Sequence, residues 1–257
     1  MRRTSCPTRF LGALAVAMFV AGASVQGAIL GLDGVQRISV LVSTPVNLTA
    51  QGGLDWAYWA PASAAELAPL VAPTNEKIGG TAISGVNIIG GTGLRGSTTA
   101  TTLERYSFTD GTSPGSGTNL SLAGLLFNSQ TGTNAAGKGL QFSITGDPST
   151  ERIVTLYLGG FAATSNLTIT LNGAAVPIID SKLFTNANPK QIDVYTLHFQ
   201  PDSASDVLQV QYTASAITDT ANGHVGLQAV TVAAVPEPAA AGLFCLGGWA
   251  LCRRRRR

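Results

Sequence analysis

Twice within residues 140–171 the sequence alternates strictly between apolar and polar side chains: Leu140-Gln141-Phe142-Ser143-Ile144 and Leu167-Thr168-Ile169-Thr170-Leu171. Successive side chains of an extended strand point to opposite sides, so each segment can bury one face and wet the other. A helix cannot use this pattern, because its buried stripe recurs every 3.6 residues. Residues 153–158 are apolar almost throughout, as in a strand covered on both faces. Further strands are expected at 37–42, 54–60, 82–89, 103–108, 192–199, 207–213 and 225–232. Asn172-Gly173, directly after Leu171, predicts a type I′ hairpin into residues 174–179. Asp110-Gly111, Gly146-Asp147-Pro148 and Asn222-Gly223 mark other reversals. The best helical pattern, at 62–70, is confined to about two turns between Pro61 and Pro69. Many short strands with frequent reversals predict an all-β chain, folded as an antiparallel β-sandwich.

The two ends have a different character. Arg2, Arg3 and Arg9 precede an uncharged run over 10–25 that ends in small residues, the pattern of a secretory signal peptide. Cleavage is expected between Ala23 and Ala28, so residues 1–27 are set aside as the leader. At the other end stand Val235-Pro236-Glu237-Pro238, an uncharged apolar run over 239–252, and then Arg253, Arg254, Arg255, Arg256 and Arg257. The prolines remove two N–H donors and stiffen the exit from the preceding strand. As a helix the apolar run would span about 21 Å, short against about 30 Å of hydrocarbon. The arginines would hold the end on the cytoplasmic side. The division is therefore 1–27 leader, 28–234 secreted body and 235–257 short transmembrane tail.

In this order, Pro236-Glu237-Pro238, the brief apolar span with Gly247-Gly248-Trp249 and the terminal arginines resemble the PEP-CTERM sorting signal of Gram-negative bacteria. The resemblance implies recognition by an exosortase in the inner membrane, removal of the tail, and delivery to the cell surface or extracellular matrix. The alternative is an ordinary anchor that is retained. The body has a second resemblance, carried by Leu54-Asp55-Trp56-Ala57-Tyr58-Trp59, by the stretches 105–111, 152–161 and 194–212, and by Gly226-Leu227-Gln228-Ala229-Val230. These are similar to segments of secreted bacterial jelly-roll, galactose-binding-like modules, and imply that fold for most of 44–232.

Charge and cysteine narrow the function classes. The whole chain carries +2, yet 28–234 holds eight Lys and Arg against thirteen Asp and Glu, a balance of −5. The positive excess belongs to the ends, so the body has no basic patch for nucleic acid. Cys6, Cys245 and Cys252 also lie in the ends. The body therefore relies on a packed apolar core rather than disulfides.

Trp56, Tyr58 and Trp59 are the leading site candidates. Rings exposed on a strand could stack on the C–H faces of a sugar, or they could fill the core. Alternation puts Leu54, Trp56 and Tyr58 on one face and Asp55, Ala57 and Trp59 on the other. The charge of Asp55 marks the second face as wet, making Trp56 the expected core residue and Trp59 the candidate glycan contact. Gly91-Thr92-Gly93-Leu94-Arg95-Gly96 matches a dinucleotide fingerprint by letters but is followed by a β-favouring run, and reads as a loop. His198 and His224 lack a short metal-ligand spacing. Asp202, Asp206, Asp219 and Asn222 could offer oxygens to a structural calcium, or simply form turns. No paired-carboxylate motif or Gly-x-Ser-x-Gly elbow is present. The expectation is a non-enzymatic, exported surface or matrix protein with a structural or adhesive role. The alternative is a carbohydrate-binding module for exopolysaccharide, and a glycan-processing enzyme comes third.

Overall fold

The computed structural model describes residues 27–40, 42–61, 67, 69–91, 93–96, 103–120, 126–128, 136–187 and 191–235. The leader up to residue 26 and the tail from 236 onward, with its proline motif and arginines, lie outside these residues. Among them the body is an all-β sandwich. One sheet runs in the order β1 (Ile29–Ile38), β15 (Gln191–Gln200), β12 (Arg152–Phe161), β17 (His224–Ala234), β10 (Leu126–Asn128) and β7 (Leu94–Arg95). β3 (Asp55–Tyr58) also pairs with β17 and carries β5 (Asn75–Glu76) on its outer side. The facing sheet is β14 (Ile178–Phe184), β13 (Ala163–Leu171), β16 (Val207–Ile217), β11 (Lys138–Thr145), β6 (Val86–Ile89) and β4 (Leu70–Val71). A small third sheet contains β2 (Val46–Asn47), β8 (Tyr106–Phe108) and β9 (Gly117–Leu120). The pairs within the two large sheets are antiparallel, while β2 and β8 run parallel.

Alternation supplies the main core. Leu140, Phe142 and Ile144 of β11, Leu167 and Ile169 of β13, and Val210 and Tyr212 of β16 pack against Val154, Leu156, Tyr195 and Leu197 of the opposite sheet. A second core lies on the outer side of the larger sheet. There Trp56, Tyr58, Tyr157, Ile192 and Ala229 are roofed by Tyr106 and Phe108 of the small sheet and by Leu48. Leu48 belongs to a single helical turn, α1 (Leu48–Gln51), whose N-terminus is capped by Asn47: its Oδ1 accepts the Ala50 N–H at 3.1 Å. The chain is thus three layers deep at its centre. That explains why β12 and β17 are buried along most of their length on both faces.

β17 serves both cores through a bulge. Leu158 pairs with Leu227 and Tyr157 with Ala229, which leaves Gln228 as the extra residue. Val225 and Leu227 face the main core before the bulge, Val230 and Val232 after it. The buried Gln228 amide oxygen accepts the Tyr106 hydroxyl at 2.7 Å.

Two local expectations are corrected. The strand expected at 37–42 begins earlier, at Ile29, and ends at Ile38. Two glycines disguise it. A Cβ on Gly31 would lie 2.3 Å from His198 Nε2, so the ring needs that space. The Asn172-Gly173 turn forms, with the Ala174 N–H donating to Leu171 O at 3.1 Å, but only Gly173 has positive φ (81°). A type I′ turn needs positive φ at both central residues, so this is not one. The ladder resumes only at Ile178, paired with Ile169. Pro177, with no N–H to donate, immediately precedes that point.

Candidate functional site

β3 and Trp59, the residue directly after it, carry the aromatic cluster, and both faces of this segment are covered. The alternation is as expected: Ala57 and Trp59 share one core, Trp56 and Tyr58 the other. The expected exposure is not. Trp59 is completely buried in the main inter-sheet core beside Phe142, with its Nε1 donating to Val71 O at 3.3 Å. Its ring is not a surface contact for a glycan. Trp56 is also fully buried, tilted against Phe108 at 4.8 Å, and its Nε1 donates to Asp110 Oδ1 at 2.8 Å.

Asp55 is charged in type yet buried, because a carboxylate can be satisfied by backbone. Its Oδ2 accepts the N–H groups of Ala82 at 2.7 Å and Ile83 at 3.0 Å. Burial pushes the Asp55 carboxyl up, and those N–H groups oppose the shift. Asp110 fastens the roof over the second core. Besides Trp56, it accepts Thr49 Oγ1 and pairs with Lys77 Nζ. Burial alone would raise its pKa; the bonds from Lys77, Thr49 and Trp56 outweigh that and hold it below the ordinary carboxylate value. These carboxylates organise the fold.

The remaining candidates do not converge. Leu94 and Arg95 of the glycine-rich match form β7, so a strand stands where a phosphate-binding loop would lead into a helix. His198 Nδ1 lies 2.6 Å from Asp33 Oδ1, beside the bulge in β1. His224 is buried at the other end of the molecule's strands, its Nδ1 2.6 Å from Asn222 O. Asp219 accepts the N–H groups of Ala221 and Asn222 in a turn after β16, whereas Asp202 and Asp206 precede β16. The oxygens considered for calcium therefore sit at opposite ends of one strand.

The feature that the residue types alone did not reveal is the outer face of the six-stranded sheet. β13 presents Thr164, Asn166, Thr168 and Thr170 there, alternating with its buried residues. β16 presents Gln209, Gln211 and Thr213, and β11 presents Gln141, Ser143 and Thr145. The pairing aligns them into rows across the strands. Asn87, Gln141, Gln211 and Thr168 form one, ended by Leu70 and Ile179. Ser143, Gln209 and Thr170 form the next. The second row opens into a cleft of about 460 Å³ whose lining includes Thr170, Asn172, Ser205, Asp206 and Gln209. Asn172 Nδ2 donates to Asp206 Oδ1 there at 3.1 Å.

β17 delivers the chain to its tail at the rim beside β12, where the Val235 N–H donates to Glu151 O at 3.0 Å. Compared with known proteins, neither curated sequences nor solved structures gave a match. Compared with protein families, residues 234–257 match the PEP-CTERM protein-sorting motif. The match begins at Ala234, the last residue of β17, so the motif follows the folded body without a spacer. The motif identifies the chain as an exosortase-sorted extracellular protein: exported, associated with the cell envelope, and joined to its sorting signal through the central strand of a β-sandwich.

Proposed function

We propose that the body is a structural or adhesive component of the cell surface or extracellular matrix, without enzymatic activity. The observation that carries this reading is the sorting motif placed directly after a compact β body. The carboxylates Asp55, Asp110 and Asp193 support it, since each is engaged in holding elements together. Removal of the tail by an exosortase leaves the sandwich as the working part. The reading is tested by deleting the gene in the native host and measuring attachment of cells to one another and to a surface, with mass spectrometry of the extracellular fraction of the parent. Attachment should fall, and the exported protein should lack everything after about residue 238. Unchanged attachment would reject the adhesive role. An intact arginine-terminated peptide outside the cell would reject removal of the tail.

Carbohydrate binding is a second reading. Stacking on Trp59 no longer supports it, because that ring is inaccessible. The uncharged rows on the outer face of the six-stranded sheet do.

A further inference from the structure

About a quarter of the residues of an average soluble domain are charged. The outward positions named above on β11, β13 and β16 carry no charge; every one is an amide or a hydroxyl. Asp206 lines the cleft at one end of this face, while charges such as Arg37 and Asp193 inside the rim and Asp33, Glu151 and His198 near the other sheet lie away from it. We propose that this face, together with the cleft at its Asn172–Asp206 end, binds a neutral, hydroxyl-rich polysaccharide chain lying across the strands. The inference rests on the exported, adhesive role above and names the partner for it.

Three features make that occupant fit. First, neighbouring strands are about 4.8 Å apart, close to the length of one pyranose along an extended chain. A row of side chains therefore meets successive sugars in step. The rows Gln141–Gln211–Thr168 and Ser143–Gln209–Thr170 lie about 6.7 Å apart, two residues along a strand, so one chain can be held from both sides.

Second, the hydrogen-bonding groups are open. The side chains of Thr168, Thr170 and Gln209 make no hydrogen bond to other residues among those described. Gln211 and Gln141 meet only at 3.4 Å, a contact a ligand hydroxyl can replace with shorter bonds. Amides offer donor and acceptor together, which suits sugar hydroxyls that are also both. In the cleft, Asp206 adds a carboxylate acceptor beside the Asn172 amide.

Third, apolar contact stands at the row ends and in the cleft, where Leu171 and Val207 are part of the lining. Leu70 and Ile179 are more than half exposed at the row ends and can meet sugar C–H surfaces. A protein partner would be met by aromatic or arginine anchors at the centre of the patch. The centre here is glutamine and threonine.

The test uses the full-length chain in mild detergent, run through native gels containing hydroxyethyl cellulose, dextran, galactomannan or polygalacturonate. At least one neutral polymer should retard the protein, and more strongly than polygalacturonate does. The double variant Thr168→Ala, Gln211→Ala should raise the apparent Kd roughly tenfold or more, as expected for losing two to three net hydrogen bonds. Ile78→Ala, away from the face, should leave it unchanged. If the double variant melts early, Gln211→Glu at an exposed position replaces it and should weaken binding by adding a charge. The proposal is overturned if no neutral polymer retards the chain, if polygalacturonate does so most strongly, or if the variants bind as well as the parent. Sedimentation that shows a dimer dissolved by the same variants would assign the face to a second copy and overturn it too. A protein found outside the cell and needed for attachment, yet unretarded in every gel, would leave the adhesive role standing and remove only this site.

Discussion

Trp56, on β3, and Trp59, the residue that follows the strand, anchor different cores. Trp59 fills space between the two large sheets, and Trp56 fills space beneath the small one. Replacing either with alanine should cost about 3–5 kcal/mol, the usual cost of deleting a buried large aromatic. Urea denaturation of the two variants checks this. A Trp59→Ala protein within about 1 kcal/mol of the parent would contradict the burial of that ring. Trp56→Phe separates area from polarity: it keeps most of the ring but withdraws the indole N–H from Asp110. A loss of about 1–3 kcal/mol is expected from the hydrogen bond to a charged group.

At the scale of elements, the roof over the second core has its own pH dependence. Glu104 leads into β8 and is almost completely buried. It lies close enough to Tyr106 and Tyr157 for its charge to disfavour their ionisation. Burial pushes its carboxyl from the ordinary 4.5 up to about 7. Between those values the unfolded chain has released the proton while the folded chain keeps it. Its contribution to stability is therefore whole below about pH 4.5, declines as pH rises to about 7, and is flat above. Glu104→Gln removes this titration. Its Tm relative to the parent should be higher by a few degrees at about pH 8 than near pH 4.5, read by a thermal melt at each pH. A difference that does not change between the two would refute the assignment.

Across the whole molecule, Arg37 joins the two large sheets at one rim. Its Nε and Nη2 pair with both Asp193 oxygens at 2.7 and 2.8 Å, from neighbouring strands of one sheet. Its Nη1 reaches Leu183 O of β14 in the other sheet at 2.8 Å, and the guanidinium lies over the Phe184 ring at 4.8 Å. Arg37→Ala leaves Asp193 buried without its cation and should cost about 3–5 kcal/mol. Adding Asp193→Asn to that variant should recover part of the loss, because the uncompensated charge is gone. A double variant less stable than Arg37→Ala in denaturant would show that the charge is not the source of the cost.

The sequence alone determined the fold class, the strands with strict alternation, and the sorting tail, because each depends on residues close together in the chain. β11, β13, β15 and β16 are legible for that reason: a period of two follows from the geometry of a single extended segment. The tail is legible because proline stiffness, apolar length and clustered cations act within 23 residues. What only the tertiary structure decided is which wet-looking face remains wet. Asp55 reads as exposed by its charge, but two backbone N–H groups from residues 82 and 83 satisfy it inside the protein. Trp59 reads as the outer ring until the second large sheet closes over it. The bulge at Gln228 shifts the alternation of β17 halfway along, which residue order cannot show. The outer face of the six-stranded sheet follows the same physics in reverse. Its threonines and glutamines are visible one strand at a time, while the rows they form are set by register between strands distant in sequence.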